Sequence, residues 1–237
     1  MNQVQICENF EQLKVFCTGY GGDYKPGNGN LQLNAMGALL EKAKSSLQDV
    51  SLAKALYDNV TIERRDAFGE MRARVRAVLA TLASVGADEK VQAGARFYAR
   101  LIEGKRAKAR PSVPSDASEQ IVASRSVSQT GFAERASHFS KLVQVVSLEP
   151  LYKPNEEKLT VKGLQKTADR LQAIQSQVAE AAVKLSNARI NRNLCLYHHK
   201  VAIYPVAMAV KKYVMALYGY RSDQYKQVSK LRFTKPG

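Results

Sequence analysis

Groups that perform chemistry are scarce in this sequence. It holds three cysteines, three histidines and no tryptophan in 237 residues. The odd cysteine count (Cys7, Cys17, Cys195) has no metal-like pairing, which argues against a disulfide framework and points to reduced, mostly buried thiols in a cytoplasmic protein. No Ser/His/Asp or Cys/His arrangement has usable spacing. The Gly-rich stretch from Gly19 to Gly29 has no strand before it, which excludes a phosphate loop or dinucleotide fingerprint. No apolar run approaches the ~18 to 20 residues of a membrane span. The opening MNQVQICENF shows neither the basic nor the apolar region of a secretory signal. Alternating apolar and polar residues are missing too, so no strand is predicted. These absences leave a non-enzymatic all-α protein without cofactor or metal as the expectation.

Acidic residues are the other deficit. Thirty-six Lys and Arg face 21 Asp and Glu, giving a net charge of +15. The imbalance is local. Residues 1–60 set five basic against six acidic side chains, and 61–110 set twelve against six. Residues 111–188 set nine against eight, and 189–237 set ten against one.

That alternation follows an internal repeat. Tyr24-Lys25-Pro26 recurs as Tyr152-Lys153-Pro154, and the same 128-residue offset carries Leu31 to Leu159, Asn59 to Asn187 and Arg64 to Arg192. A fixed-period match over this distance is the signature of duplication. The first copy is placed at 5–104, a basic Ser/Pro connector at 105–131 and the second copy at 133–231, the two copies packing as one domain. Each copy has a near-neutral first half and a basic second half.

Each copy opens with a short amphipathic segment, Phe10, Leu13 and Phe16 in one and Phe139, Leu142 and Val145 in the other. Apolar residues then recur in steps of three and four, the pattern of a helix with one buried seam. In copy one these are Leu33, Met36, Leu40, Ala43, Leu47, Val50, Ala53, Tyr57 and Val60, then Phe68, Met71, Val75, Val78, Leu82 and Val85. Copy two repeats them from Val161 to Ala188 and from Leu196 to Tyr213. Asp58-Asn59-Val60-Thr61 and Ser186-Asn187-Ala188-Arg189 carry capping residues, and the seam slips phase there. The predicted fold is therefore a duplicated helical hairpin, packed as an antiparallel four-helix bundle with short accessory helices. The competing reading is one kinked helix of more than fifty residues, a rod ~80 Å long. Pro205 is expected to kink the last long helix.

Cys195, His198 and His199 invite a metal reading, but the repeat places His199 at the seam position of Met71 and His198 at the outward position of Glu70. A core histidine hydrogen-bonded to Gln175 is the expectation instead. Basic residues offer the stronger candidate site. Arg72, Arg74 and Arg76 flank the seam in copy one, and Lys105 and Arg106 begin the connector. In copy two Lys211, Lys212, Arg221, Lys226, Lys230 and Arg232 are interleaved with Tyr213, Tyr218, Tyr220, Tyr225 and Phe233. Cations contact phosphates and aromatic rings stack on bases, so these eleven basic residues are candidate nucleic-acid contacts. Their spread over several segments matches no known recognition module. A protein partner is the first expectation for function and sequence-nonspecific nucleic acid the alternative.

The run Ser186-Asn187-Ala188-Arg189-Ile190-Asn191-Arg192-Asn193, followed by Leu196-Tyr197, Val210-Lys211-Lys212-Tyr213-Val214 and Gln224 to Pro236 (QYKQVSKLRFTKP), resembles a family of uncharacterised helical proteins from Bacteroidota. The resemblance covers about the last hundred residues and implies an all-α bacterial protein. It implies no activity, cofactor or functional residue.

Overall fold

The computed structural model describes residues 2–104 and 131–235. Seven helices run in the order α1 (Gln3–Gly19), α2 (Leu33–Ser84), α3 (Glu89–Glu103), α4 (Phe132–Ser147), α5 (Val161–Asn193), α6 (Ile203–Tyr218) and α7 (Asp223–Ser229), and no strand occurs among the described residues. The protein is all-α.

Local chemistry sets most helix ends. The side chains of Asn2, Asp88 and Ser222 accept hydrogen bonds from Val4, Lys90 and Tyr225 N–H at the starts of α1, α3 and α7. Each satisfies a donor that the first helical turn leaves without a partner. Thr160 does the same for α5, its hydroxyl accepting from Gly163 N–H at 3.1 Å. Gly86 after α2 and Gly104 after α3 take φ of +65° and +72°, conformations that a Cβ disfavours.

The expected turn at Asp58-Asn59-Val60-Thr61 is not formed. α2 continues through it for 52 residues. No Gly or Pro interrupts the helix there, Asn and Asp inside a helix cost only a few tenths of a kcal/mol, and Lys54 pairs with Asp58 one turn along. Ser186 to Arg189 likewise lies inside α5. In the second half the break comes later. One wide turn over Leu194–His198 closes with His199 N–H donating to the Leu194 carbonyl, and α6 begins at Ile203. Pro205 therefore stands in the first turn of α6, where its missing N–H is no loss, and it kinks nothing.

The chain divides into two compact units, and the division does not follow the two copies. Unit 1 comprises residues 1–58 and 181–237, and unit 2 comprises 59–180. Each unit thus joins the opening half of one copy to the closing half of the other, which corrects the hairpin expectation. In unit 1, α1 packs on α6 and α7. Phe10, Leu13, Met36, Leu40 and Ala43 meet Leu196, Ile203, Val206, Val210, Val214 and Val228 in one core. In unit 2, α3 packs on α4, and Phe68, Met71, Val75, Val78, Phe139, Leu142, Leu164, Leu171 and Ile174 are buried. Full burial of each such side chain stabilises the fold by about 1.5–3 kcal/mol.

The two units repeat their detail. Cys7, Phe10, Leu13 and Cys17 are buried on α1, as are Ala136, Phe139, Leu142 and Val146 at offset 129 on α4. Met36, Leu40 and Ala43 are buried, as are Leu164, Ala168 and Leu171 at offset 128. The Tyr24 hydroxyl donates to the Leu31 carbonyl at 2.8 Å, and the Tyr152 hydroxyl donates to the Leu159 carbonyl at 2.8 Å.

One 18-residue window within Val161–Tyr218 reaches a mean hydropathy of 1.3, so a stretch of membrane-spanning length and composition exists, against expectation. Only 33% of that window is buried. The same composition serves a core: Ile203, Val206, Ala207, Val210 and Val214 of α6 are buried in unit 1.

Candidate functional site

The basic residues separate into two groups. Arg72, Arg74 and Arg76 belong to unit 2, while Lys211, Lys212, Arg221, Lys226, Lys230 and Arg232 belong to unit 1. Lys105 and Arg106 lie outside the described residues, as does most of the 105–131 connector.

In unit 1 the six do not share one role. Lys211 is half-buried. Its ammonium donates to the carbonyls of Ser229 and Leu231 and stands 5.3 Å from the centre of the Phe233 ring. Burial lowers its pKa. Lys211 therefore anchors the segment after α7 and is removed from the candidate contacts. A second anchor is Asn9, whose side-chain amide donates to the Arg232 carbonyl at 2.8 Å. Tyr213 and Tyr218 are structural as well, standing edge-on to Tyr24 and Tyr20 with ring centroids 5.4 Å apart in each pair.

The remaining groups face solvent. Lys212, Arg221, Lys226, Lys230 and Arg232 are exposed, and Tyr220 is 72% exposed while its ring lies 5.4 Å from that of Tyr225. Asp223 is the sole acidic residue between 181 and 237, and it pairs with Lys226 at 2.9 Å. The α6–α7 corner thus displays five exposed cations and one aromatic face against Asp223 and, near Tyr218, Asp23, an arrangement suited to a polyanion.

In unit 2, Arg72 and Arg76 are exposed. Arg74 is half-buried and donates to the Thr167 hydroxyl, which in turn donates to the Gly163 carbonyl at 2.9 Å. Arg74 lines a cleft of about 290 Å³ together with Lys158, Lys166, Thr167 and Arg170. Glu70 and Glu157 stand at the same cleft. Arg170 lies 3.6 Å from both Glu63 and Glu70, and Lys166 lies 3.9 Å from Glu157. Spacing along the chain does not single out Lys158, Lys166 and Arg170, because they fall on a loop and an outer helix face. The signal that finds them is a comparison of the copies, whose positions at offset 128 are Asn30, Ala38 and Lys42.

His199 is exposed, and its Nδ1 accepts from Val201 N–H at 3.2 Å. Gln175 accepts from Arg64 at 3.4 Å in unit 2. The expected Gln175–His199 network is therefore absent, because the helix break at 199–202 takes His199 out of the seam. No group of three His, Cys, Asp or Glu is placed to hold a metal among the described residues. Burial pushes the Cys7 and Cys17 thiols up to about 11, which keeps them protonated and poorly nucleophilic at neutral pH.

His138 on α4 is 8% exposed, with neither ring nitrogen hydrogen-bonded. Its ring lies 6.4 Å from that of Tyr98 on α3. Burial lowers its pKa, Lys141 adds to the effect and Glu134 opposes it.

Comparison with known proteins gives no match: no family model, no curated protein and no solved structure is similar to this chain.

Proposed function

We propose that the protein is a non-enzymatic helical interaction protein of the bacterial cytoplasm, built by tandem duplication, that works by binding a protein partner. The duplication is supported by the two matching tyrosine bonds and by burial that recurs at one offset. The observation that carries the interaction reading is the apolar surface left open on the long helices of unit 1. Leu52 and Leu56 on α2 are 63% and 42% exposed one helical turn apart. On α5 Val183 and Ile190 are 58% and 53% exposed, and Leu194, in the wide turn that follows, is 44% exposed; the spacing of seven keeps Val183 and Ile190 on one face. Ordered apolar faces of this kind are a recurrent basis for docking another helix. Affinity capture from bacterial extract tests the reading. A partner held by the wild-type chain is expected to be lost with Leu52→Glu/Leu56→Glu or Val183→Glu/Ile190→Glu, with helicity by circular dichroism unchanged. Retention by both variants refutes it.

The α6–α7 corner favours a second reading, sequence-nonspecific binding of single-stranded nucleic acid. Exposed Tyr220 beside Arg221, with exposed Lys212, Lys230 and Arg232 and with Lys226 in a solvent-exposed pair with Asp223, supplies a stacking face and about five phosphate contacts. Each contact contributes about −0.7 to the slope of log K against log salt. Fluorescence anisotropy of a labelled oligonucleotide should show a slope of about −3 to −4. Affinity unchanged between 50 and 200 mM salt removes this reading.

A further inference from the structure

We infer that the cleft of unit 2 is a binding site for a small phosphate-bearing ligand, a diphosphate or phosphate monoester. Its walls come from α2, from the loop before α5 and from the first turns of α5. Arg74, Lys158, Lys166 and Arg170 gather around about 290 Å³ with the Thr167 hydroxyl between them. Four cations against the two carboxylates that line the cleft, Glu70 and Glu157, leave it with a surplus of positive charge, and such a surplus repels itself. The other half of the chain shows that packing does not require these cations. At offset 128 Lys158 corresponds to Asn30, Lys166 to Ala38, Thr167 to Leu39 and Arg74 to Ala202, and only Arg170 has a basic counterpart, Lys42.

Thr167 is the informative member. It and Leu39 are equally buried, each 8% exposed. A leucine fills that position in unit 1 by apolar contact alone. In unit 2 a hydroxyl is buried instead, and it holds the Arg74 guanidinium at the cleft. Gly163 is a second such difference, since its counterpart is Ala35. A Cβ at Gly163 would lie 2.1 Å from the Glu157 carbonyl oxygen. The glycine lets the loop backbone rest on the first turn of α5, which brings Lys158 to the cleft beside the positive end of the helix dipole.

The carboxylates leave room for a ligand. Glu63, Glu70 and Glu157 stand 3.6–3.9 Å from their cations, all largely exposed, and exposed pairs at such separations hold weakly. A phosphate entering the cleft replaces them with shorter, charge-assisted hydrogen bonds. The volume lies at the bottom of the range of small-molecule pockets, which selects a compact anion over a polymer.

Isothermal titration of the full chain with inorganic pyrophosphate at low ionic strength tests the inference. Saturable binding is expected, weakened about tenfold by Lys158→Ala and by Lys166→Ala and more by the pair, since one charged hydrogen bond is lost with each. Lys25→Ala/Lys42→Ala in unit 1, at exposed lysines outside every site described above, should bind like wild type. Thr167→Leu, which restores the residue of the other copy, should keep the thermal midpoint and still weaken binding. Absence of saturable heat at millimolar pyrophosphate overturns the inference. So does equal weakening by the unit 1 pair, or a single-stranded oligonucleotide that binds this cleft where pyrophosphate does not. None of these outcomes depends on the α6–α7 corner or on the apolar faces of unit 1.

Discussion

Removing one hydroxyl from each copy, by Tyr24→Phe and separately by Tyr152→Phe, tests the paired architecture at its most sharply repeated point. Each phenol donates to a leucine carbonyl seven residues on, at 2.8 Å in both copies. The rings themselves are buried to nearly the same extent, 6% and 5% exposed, so phenylalanine keeps the packing and deletes only the donor. The carbonyls differ in surroundings. Leu31 is buried, and its oxygen loses its donor in a dry site, a loss of about 2 kcal/mol. Leu159 is half-buried, so water can replace the phenol and the loss is about 1 kcal/mol. Urea denaturation followed by circular dichroism is the assay, because the chain has no tryptophan to report on. With a slope of about 2–3 kcal/mol/M, the midpoint should fall by about 0.8 M for Tyr24→Phe and about 0.4 M for Tyr152→Phe. Burial pushes the Tyr152 phenol up to about 12 and raises that of Tyr24 further. Both therefore stay protonated donors, and the two losses should be the same at pH 6 and pH 9. A shift below about 0.1 M for either variant, or the reverse order, refutes the argument.

Three further outcomes follow from individual sites. His138 is buried neutral with its pKa lowered below the usual 6.5, so the unfolded chain takes up its proton first as pH falls. Stability should be level above about pH 7 and decline below pH 6.5 by up to about 1.4 kcal/mol per pH unit until the folded-state pKa is passed. His138→Phe should flatten that limb, measured as the difference in thermal midpoint between pH 7.5 and 5.5. Gly163→Ala places a methyl against the Glu157 carbonyl oxygen and should lower stability by about 1–3 kcal/mol; an unchanged urea midpoint contradicts the close approach. Lys211→Met strips the donor from the Ser229 and Leu231 carbonyls and should free the segment after α7. Faster limited proteolysis near residues 230–235 is the expected sign, and an unchanged cleavage rate shows that Lys211 is not the anchor.

Helical periodicity made most of the core legible. The seam residues Met36, Leu40, Ala43, Phe68, Met71, Val75 and Val78 are buried as their spacing requires, since a 3.6-residue period places them on one face whatever they pack against. Gly86, Gly219 and Ser222 fall at helix ends because their stereochemistry is local. Other readings depended on distant residues. Asp58-Asn59-Val60-Thr61 has capping chemistry and yet stays helical, because a cap residue ends a helix only where something else redirects the chain. His199 left the core because the second half breaks between 199 and 202, whereas α2 does not break at all. Lys211 looked like a surface cation, but it lies over the carbonyls at the end of α7.

Composition, period and the 128-residue self-match were therefore enough to determine that this is an all-α protein with paired segments and an uneven charge. These properties follow from side-chain chemistry and local geometry. Tertiary structure alone decided which halves pack together, since a seam presents the same apolar stripe to any partner. The same packing turned Lys211 inward, left Tyr220 in solvent and brought Lys158, Lys166 and Arg170 to one cleft with Arg74. The deficit of acids proves to be local, concentrated between residues 181 and 237, where Asp223 is the one acidic residue among the exposed cations.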